Sequence, residues 1–190
     1  MRFPKRELLR LPCHFERFVP GDLHPDGKRY LPLLILRPLA LPRGTGGITP
    51  PDFRIGVIDR HHRVAQSDAG RTGIARLTLL LGSIRLQQPP YRQGLLPEAE
   101  VAPGHASTNP FAFGQIREVL SWETERTPLP YEVLYAELLL DIGIGTIGIR
   151  TSVTATDMAS TIGGHTMNVG DWITVARSRV DMLEFQVAQM

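Results

Sequence analysis

At 190 residues the chain is long enough for one domain with a substantial core, and 21% charged with 42% hydrophobic residues excludes wholesale disorder. Cys13 stands alone, which excludes a disulfide-stapled scaffold. The net charge of +2 hides a division: 16 Lys/Arg face 9 Asp/Glu in the first 100 residues, against 5 and 10 in the last 90. That division suits a basic surface for a polyanion, a bipolar subunit that stacks on copies of itself, or two halves that neutralise each other within one fold.

Gly (18) and Pro (16) are in excess, which predicts many turns and short strands rather than a helical bundle. All the prolines lie in Met1–Pro130; Tyr131–Met190 has none. Proline removes a ladder donor, so the proline-free stretch is predicted to be the body of a sheet. The N-terminus carries positive charge with no apolar h-region behind it. No run reaches the roughly 18 uncharged apolar residues of a membrane span, since Val133–Ile149 carries Glu137 and Asp141. We read the chain as cytoplasmic, without membrane insertion.

In chain order, Met1–Gly27 ends in the turn-rich Pro20–Gly27. Lys28–Leu41 is strongly apolar, with Leu33, Leu34, Ile35 and Leu36 in succession, but Pro32 and Pro38 predict an edge strand or extended arm. Residues 1–51 are thus expected to form a Pro-rich arm, and 52–190 a single β-rich domain. Phe53–Gln66 is predicted as a hairpin: Phe53, Ile55 and Val57 alternate, Asp59–His62 turns, and Arg63–Gln66 returns. His62 occupies a turn position that often needs left-handed backbone. Arg71–Gln87 reads as one or two buried strands, and Pro89–Pro103 as a linker.

A helix is predicted at about 109–125. Thr108 or Asn109 caps it, Pro110 starts it, and Phe113, Ile116, Val119 and Leu120 share a face. Strands are expected at Tyr131–Asp141 and in the Ile/Gly alternation of Ile142–Ile149. Asp171–Val175 and Arg179–Val187 are expected as a closing antiparallel pair. The fold class is therefore β-dominated α+β: an antiparallel sheet or partly open barrel or sandwich, one covering helix, and Pro-rich arms.

Gly143-Ile-Gly-Thr-Ile-Gly148 matches GxGxxG, but the β-branched, helix-poor sequence after it reads as a strand crowded by a helix or another backbone, not a dinucleotide turn. The six histidines lack metal-ligand spacing, and no nucleophile motif is present. No catalytic, cofactor or metal residues are assigned. Glu137 and Asp141 share a strand face about 13 Å apart, which suits salt bridges rather than paired acid–base work.

The binding candidates are Arg54, Arg60, His61, His62, Arg63 and Arg71, with Arg60 and Arg63 on the hairpin tip. The leading expectation is a non-enzymatic subunit of a protein assembly. Its Leu33–Leu36 arm covers a neighbouring copy while the arginine tip meets acidic surface. The alternative is a nucleic-acid-binding barrel using the same arginines. The third is an enzyme with a dispersed site drawn from His165, Asp171 and Arg177.

Overall fold

The computed structural model describes residues 5–39, 47–102, 104–122, 136–176 and 179–188. It contains strands β1 (Leu11–Val19), β2 (Leu33–Pro38), β3 (Ile55–Ile58), β4 (Thr72–Leu80), β5 (Ser83–Leu86) and β6 (Gly94–Leu96). After these come β7 (Phe111–Trp122), β8 (Ala136–Asp141), β9 (Thr146–Thr151), helix α1 (Ala155–Thr161), β10 (Trp172–Ala176) and β11 (Arg179–Val187). At 48% strand and 8% helix among the described residues, the fold is β-dominated, as its sequence predicts.

Five strands, in the order β1-β2-β3-β11-β4, close into a barrel through a further β1–β4 pairing. Closure removes sheet edges, so each barrel strand has a partner on both sides. From β4 the sheet runs on as β9-β8-β7-β10-β5, with β6 on the other side of β7. One edge of β4 makes this branching possible. Thr72–Ala75 pair with β1, Thr78–Leu80 pair in parallel with β9, and β11 occupies the opposite edge throughout.

A long ribbon joins the two parts. β11 pairs β4 from Val187↔Gly73 to Arg179↔Leu80, and β10 pairs β5 from Ala176↔Ser83 to Ile173↔Leu86 in the same continuing register. The sequence sees Asp171–Val175 and Arg179–Val187 as each other's partners. They are instead two lengths of one interrupted strand, each lying against the β4–β5 line. The buried positions are Ala75, Leu77 and Leu79 before the interruption and Ile84 after it, so the ribbon changes its core-facing side at Leu81–Gly82.

The core is continuous across both parts. Leu11, Cys13, Phe15, Leu34, Leu36, Ile55, Val57, Leu77 and Leu79 fill the barrel, and Ile84, Ala112, Ile116, Leu138, Leu140, Ile173 and Val175 line the extension. Burying one such aliphatic side chain contributes about 1.5–3 kcal/mol.

Three expectations need correction. Residues 111–122 form β7, not a helix; the one α-helix among the described residues is α1, capped by Thr154, whose Oγ1 accepts from the Asp157 amide at 3.2 Å. Register shifts between Ile116 and Glu118 and between Val119 and Ser121 explain the error. A bulge adds one residue on one strand, so Ile116 and Val119 both meet the core three positions apart and imitate a helical period.

The Leu33–Leu36 segment is not an arm. It is paired on both edges, with β1 and β3, and Leu34 and Leu36 are fully buried. Pro32 and Pro38 bracket the strand rather than interrupting it, so their missing N–H groups leave the ladder between them intact. Finally, Phe53–Gln66 is no hairpin: β3 pairs β2 and β11, and Arg63–Gln66 pair with no strand.

Other readings hold. Arg71–Gln87 supplies two strands, and Ile142–Ile149 turns at Gly143 and enters β9, not a helix. A Cβ on Gly145 would overlap the Arg10 carbonyl, so the crowding that the Ile/Gly pattern implied comes from another backbone and not from a helix. Pro89–Pro103 carries one short strand, β6. Among the described residues, no helix is long and apolar enough to cross a membrane. Tyr131–Tyr135, the start of the predicted 131–141 strand, lie outside the described residues.

Candidate binding face

Arg60, His61, His62 and Arg63 share the loop after β3. Fully buried Asp59 builds it: Oδ1 accepts from the His61 amide at 3.3 Å and Oδ2 from the Val64 amide at 2.9 Å. His62 takes φ 49°, the left-handed backbone its turn position suggested. The loop is folded back rather than projected. Arg60 Nε donates to Asp181 Oδ1 at 3.3 Å, Arg63 Nη1 to the Leu183 carbonyl at 2.8 Å, and Arg179 grips Asp181 at 3.1 and 3.0 Å. Desolvation, and then positive charge including that of Arg63 and Arg60, holds the His61 imidazole below its ordinary pKa against the pull of Asp59.

Arg54 and Arg71 do not join this loop. Arg54 Nε donates to Glu16 Oε2 at 2.7 Å, and Arg37 Nε to Glu16 Oε1 at 2.9 Å. Desolvation raises the Glu16 pKa, but the two guanidiniums outweigh it and hold the carboxyl below its usual range. Arg71 is exposed ahead of β4, and its carbonyl accepts from the Phe15 amide. The six predicted binding residues therefore fall in three places.

Part of the division of charge is answered inside the molecule. Lys5 pairs with Glu118, Arg6 and Arg76 with Glu184, and Arg60 with Asp181, each a cation of the first half on an anion of the second. Glu137 and Asp141 also form salt bridges, though with Arg150 and Arg117 of their own half.

His165 and Asp171 do meet, Nε2 to Oδ2 at 2.8 Å. The same Asp171 oxygen accepts from the Asn168 amide at 2.7 Å, so this carboxylate ties its own loop together. Arg177 lies outside the described residues. Among the described residues no three His, Cys, Asp or Glu side chains cluster as metal ligands. Burial pushes the Cys13 thiol up to about 12, far from a reactive thiolate.

The feature that sequence reasoning missed lies on the extension. On β10, Ile173 and Val175 are buried, so Trp172, Thr174 and Ala176 face outward; on β7, Ala112, Gly114 and Ile116 point in and Phe111, Phe113 and Gln115 point out. Registers set these side chains in rows. Thr174 lies between Arg85 of β5 and Phe113 of β7, and Trp172 is opposite Gln115. Phe111 and Phe113 have ring centroids 6.5 Å apart.

A fourth segment adds another ring. The Gln87 side chain accepts from the Arg92 amide at 2.8 Å and donates to the Arg92 and Ile173 carbonyls, pinning the 88–92 loop against β10. Tyr91 is thereby stacked on Trp172, centroids 4.9 Å apart and planes 5° from parallel, while remaining 49% exposed.

Arg85 and Arg92 are exposed, and neither has an ion-pair partner among the described residues. None of the outward side chains of β5, β10 and the first half of β7 is a carboxylate. Asp141 and Asp171 bound the far end, already engaged by Arg117 and by His165 with Asn168. Such a face can stack planar groups and pair with anions.

No family model, curated protein or solved structure matches the chain. Its physical description is a five-strand β-barrel carrying a sheet extension with an aromatic and arginine-bearing outer face.

Proposed function

We propose that the protein is a non-catalytic binding module and that its binding surface is the outer face of β5, β10 and β7. One observation carries this reading. Tyr91, Trp172, Phe111 and Phe113 are gathered with Arg85 and Arg92, which have no ion-pair partner among the described residues. The described outward side chains of β5, β10 and residues 111–115 include no carboxylate, whereas Arg54, Arg60 and Arg76 of the barrel are paired internally. Rings and arginines are the side chains that dominate recognition surfaces. Membership of a larger assembly fits this reading through the extension face, because Leu33–Leu36 are enclosed by β1 and β3.

The test is the solution mass of untagged protein by light scattering, with absorbance at 260 and 280 nm read on the same peak. The double variant Arg85→Ser/Tyr91→Ser, altered at two exposed positions, is the comparison. The wild-type chain is expected to carry partner mass or nucleic-acid absorbance that the variant lacks. A bare 21.1 kDa wild-type species, or an increment that the variant retains, would overturn the reading.

A further inference from the structure

Resting on the binding-face reading, we infer that the occupant is a single-stranded nucleic acid, its sugar-phosphate backbone along the β5 edge and its bases over Tyr91, Trp172 and Phe113. The arrangement is one of columns. Arg85 stands on the outermost strand, Thr174 and Trp172 on the next, and Phe111 and Phe113 on the third. Strands are about 4.8 Å apart. A guanidinium therefore lies one strand outside the Trp172 column and two outside Phe113, the order of charge and rings that a backbone with inward-turned bases needs.

Charge decides the class of ligand. Arg85 flanks the rings on the β5 edge, Arg92 follows Tyr91 in the 88–92 loop, and no carboxylate among the described outward side chains of β5, β10 and residues 111–115 opposes a polyanion. Carboxylates bound the track at both ends, Asp141 and Asp171 near Gln115 and Glu98, held by the Thr108 and Asn109 amides, ahead of Phe111, and they limit how far a nucleic acid extends. Rings that stack bases need those bases unpaired, because a duplex hides their faces. Single strands are held in this way, by aromatic platforms beside a basic track.

Two phosphate contacts also set the expected salt response. For single strands log K falls with log salt at about −0.7 per neutralised phosphate, so the slope here is about −1.4. The binding is shallow in salt compared with proteins that grip many phosphates.

The experiment is fluorescence anisotropy of a labelled oligothymidylate of about 12 nucleotides, within the roughly 4–16 nucleotide site size of single-strand-binding domains, titrated with the full chain. Tyr91→Ser is expected to weaken binding about 5- to 150-fold, the span associated with loss of one stacked base. Arg85→Ser is expected to make the salt slope shallower by about 0.7. Arg71→Ser leaves both unchanged, and unlabelled duplex fails to compete.

Three outcomes overturn the inference. One is binding that Tyr91→Ser and Arg85→Ser leave intact. Another is duplex competing as well as single strand. The third is no oligonucleotide binding by a wild-type chain whose face-dependent mass increment persists; that result assigns the face to a protein partner and leaves the binding-face reading standing. Absence of both the increment and oligonucleotide binding removes both.

Discussion

The barrel and the extension are built from one ribbon, yet they use their surfaces differently. In the barrel every strand is paired on both edges, and several of its arginines are turned back onto carboxylates or carbonyls: Arg54 onto Glu16, Arg60 onto Asp181, Arg63 onto Leu183, Arg76 onto Glu184 and the Leu9 carbonyl, while Arg17 and Arg71 stay exposed. In the extension β5 ends the strand order, and Arg85, Arg92 and Tyr91 remain exposed. Arginines committed to internal partners serve the scaffold. A surface that keeps rings and guanidiniums available is where recognition is built.

The largest expected effect breaks the scaffold. Leu77→Ala removes a fully buried side chain from the barrel wall and should lower unfolding free energy by about 2–5 kcal/mol, read by denaturant titration. A destabilisation under 1 kcal/mol would contradict the close-packed barrel.

Gly145→Ala tests the junction between the two regions. The added methyl meets the Arg10 carbonyl, where Arg10 and Thr146 exchange backbone hydrogen bonds at 2.9 and 3.0 Å. Overpacking of this kind costs about 1–3 kcal/mol. An unchanged thermal midpoint would mean that the strands part without penalty.

Acid separates the regions more gently. The Glu16 carboxyl is held below its unfolded value of about 4.3, so its contribution is present above that pH and is lost as pH falls through the folded value. Barrel stability should therefore decline in acid. Glu16→Gln should flatten that decline, and an unaltered pH profile in the variant would refute the assignment.

The smallest effect sharpens the comparison from the other side. Tyr91→Ser alters an exposed ring and should change stability by no more than about 0.5 kcal/mol. Its cost is expected in binding alone. A large loss of stability would make the Tyr91–Trp172 stack structural.

Much of the scaffold was legible from local pattern. Proline-free, β-branched runs became β9, β10 and β11, the apolar runs of Arg71–Gln87 became β4 and β5, and His62 took the backbone its turn position suggested. Local pattern failed where the determinant was not local. Two register shifts made β7 look helical, and Pro32 and Pro38 made a doubly paired strand look like an arm.

The candidate face lay beyond local pattern for a related reason. Arg85, Tyr91, Phe113 and Trp172 come from three strands and a loop, and only the pairing register sets them side by side. The arginines around Arg60 were conspicuous because they are adjacent in sequence, and most of them proved to be committed within the fold.

The most direct test of the division between scaffold and binding face is a map of amide chemical shifts during titration with single-stranded oligothymidylate. The account predicts perturbations on Ser83–Arg92, Phe111–Gln115 and Trp172–Ala176, with β1–β3 and the Arg60–Arg63 loop unmoved. Perturbations centred on Arg60–Arg63 and Arg179, with the extension silent, would contradict it.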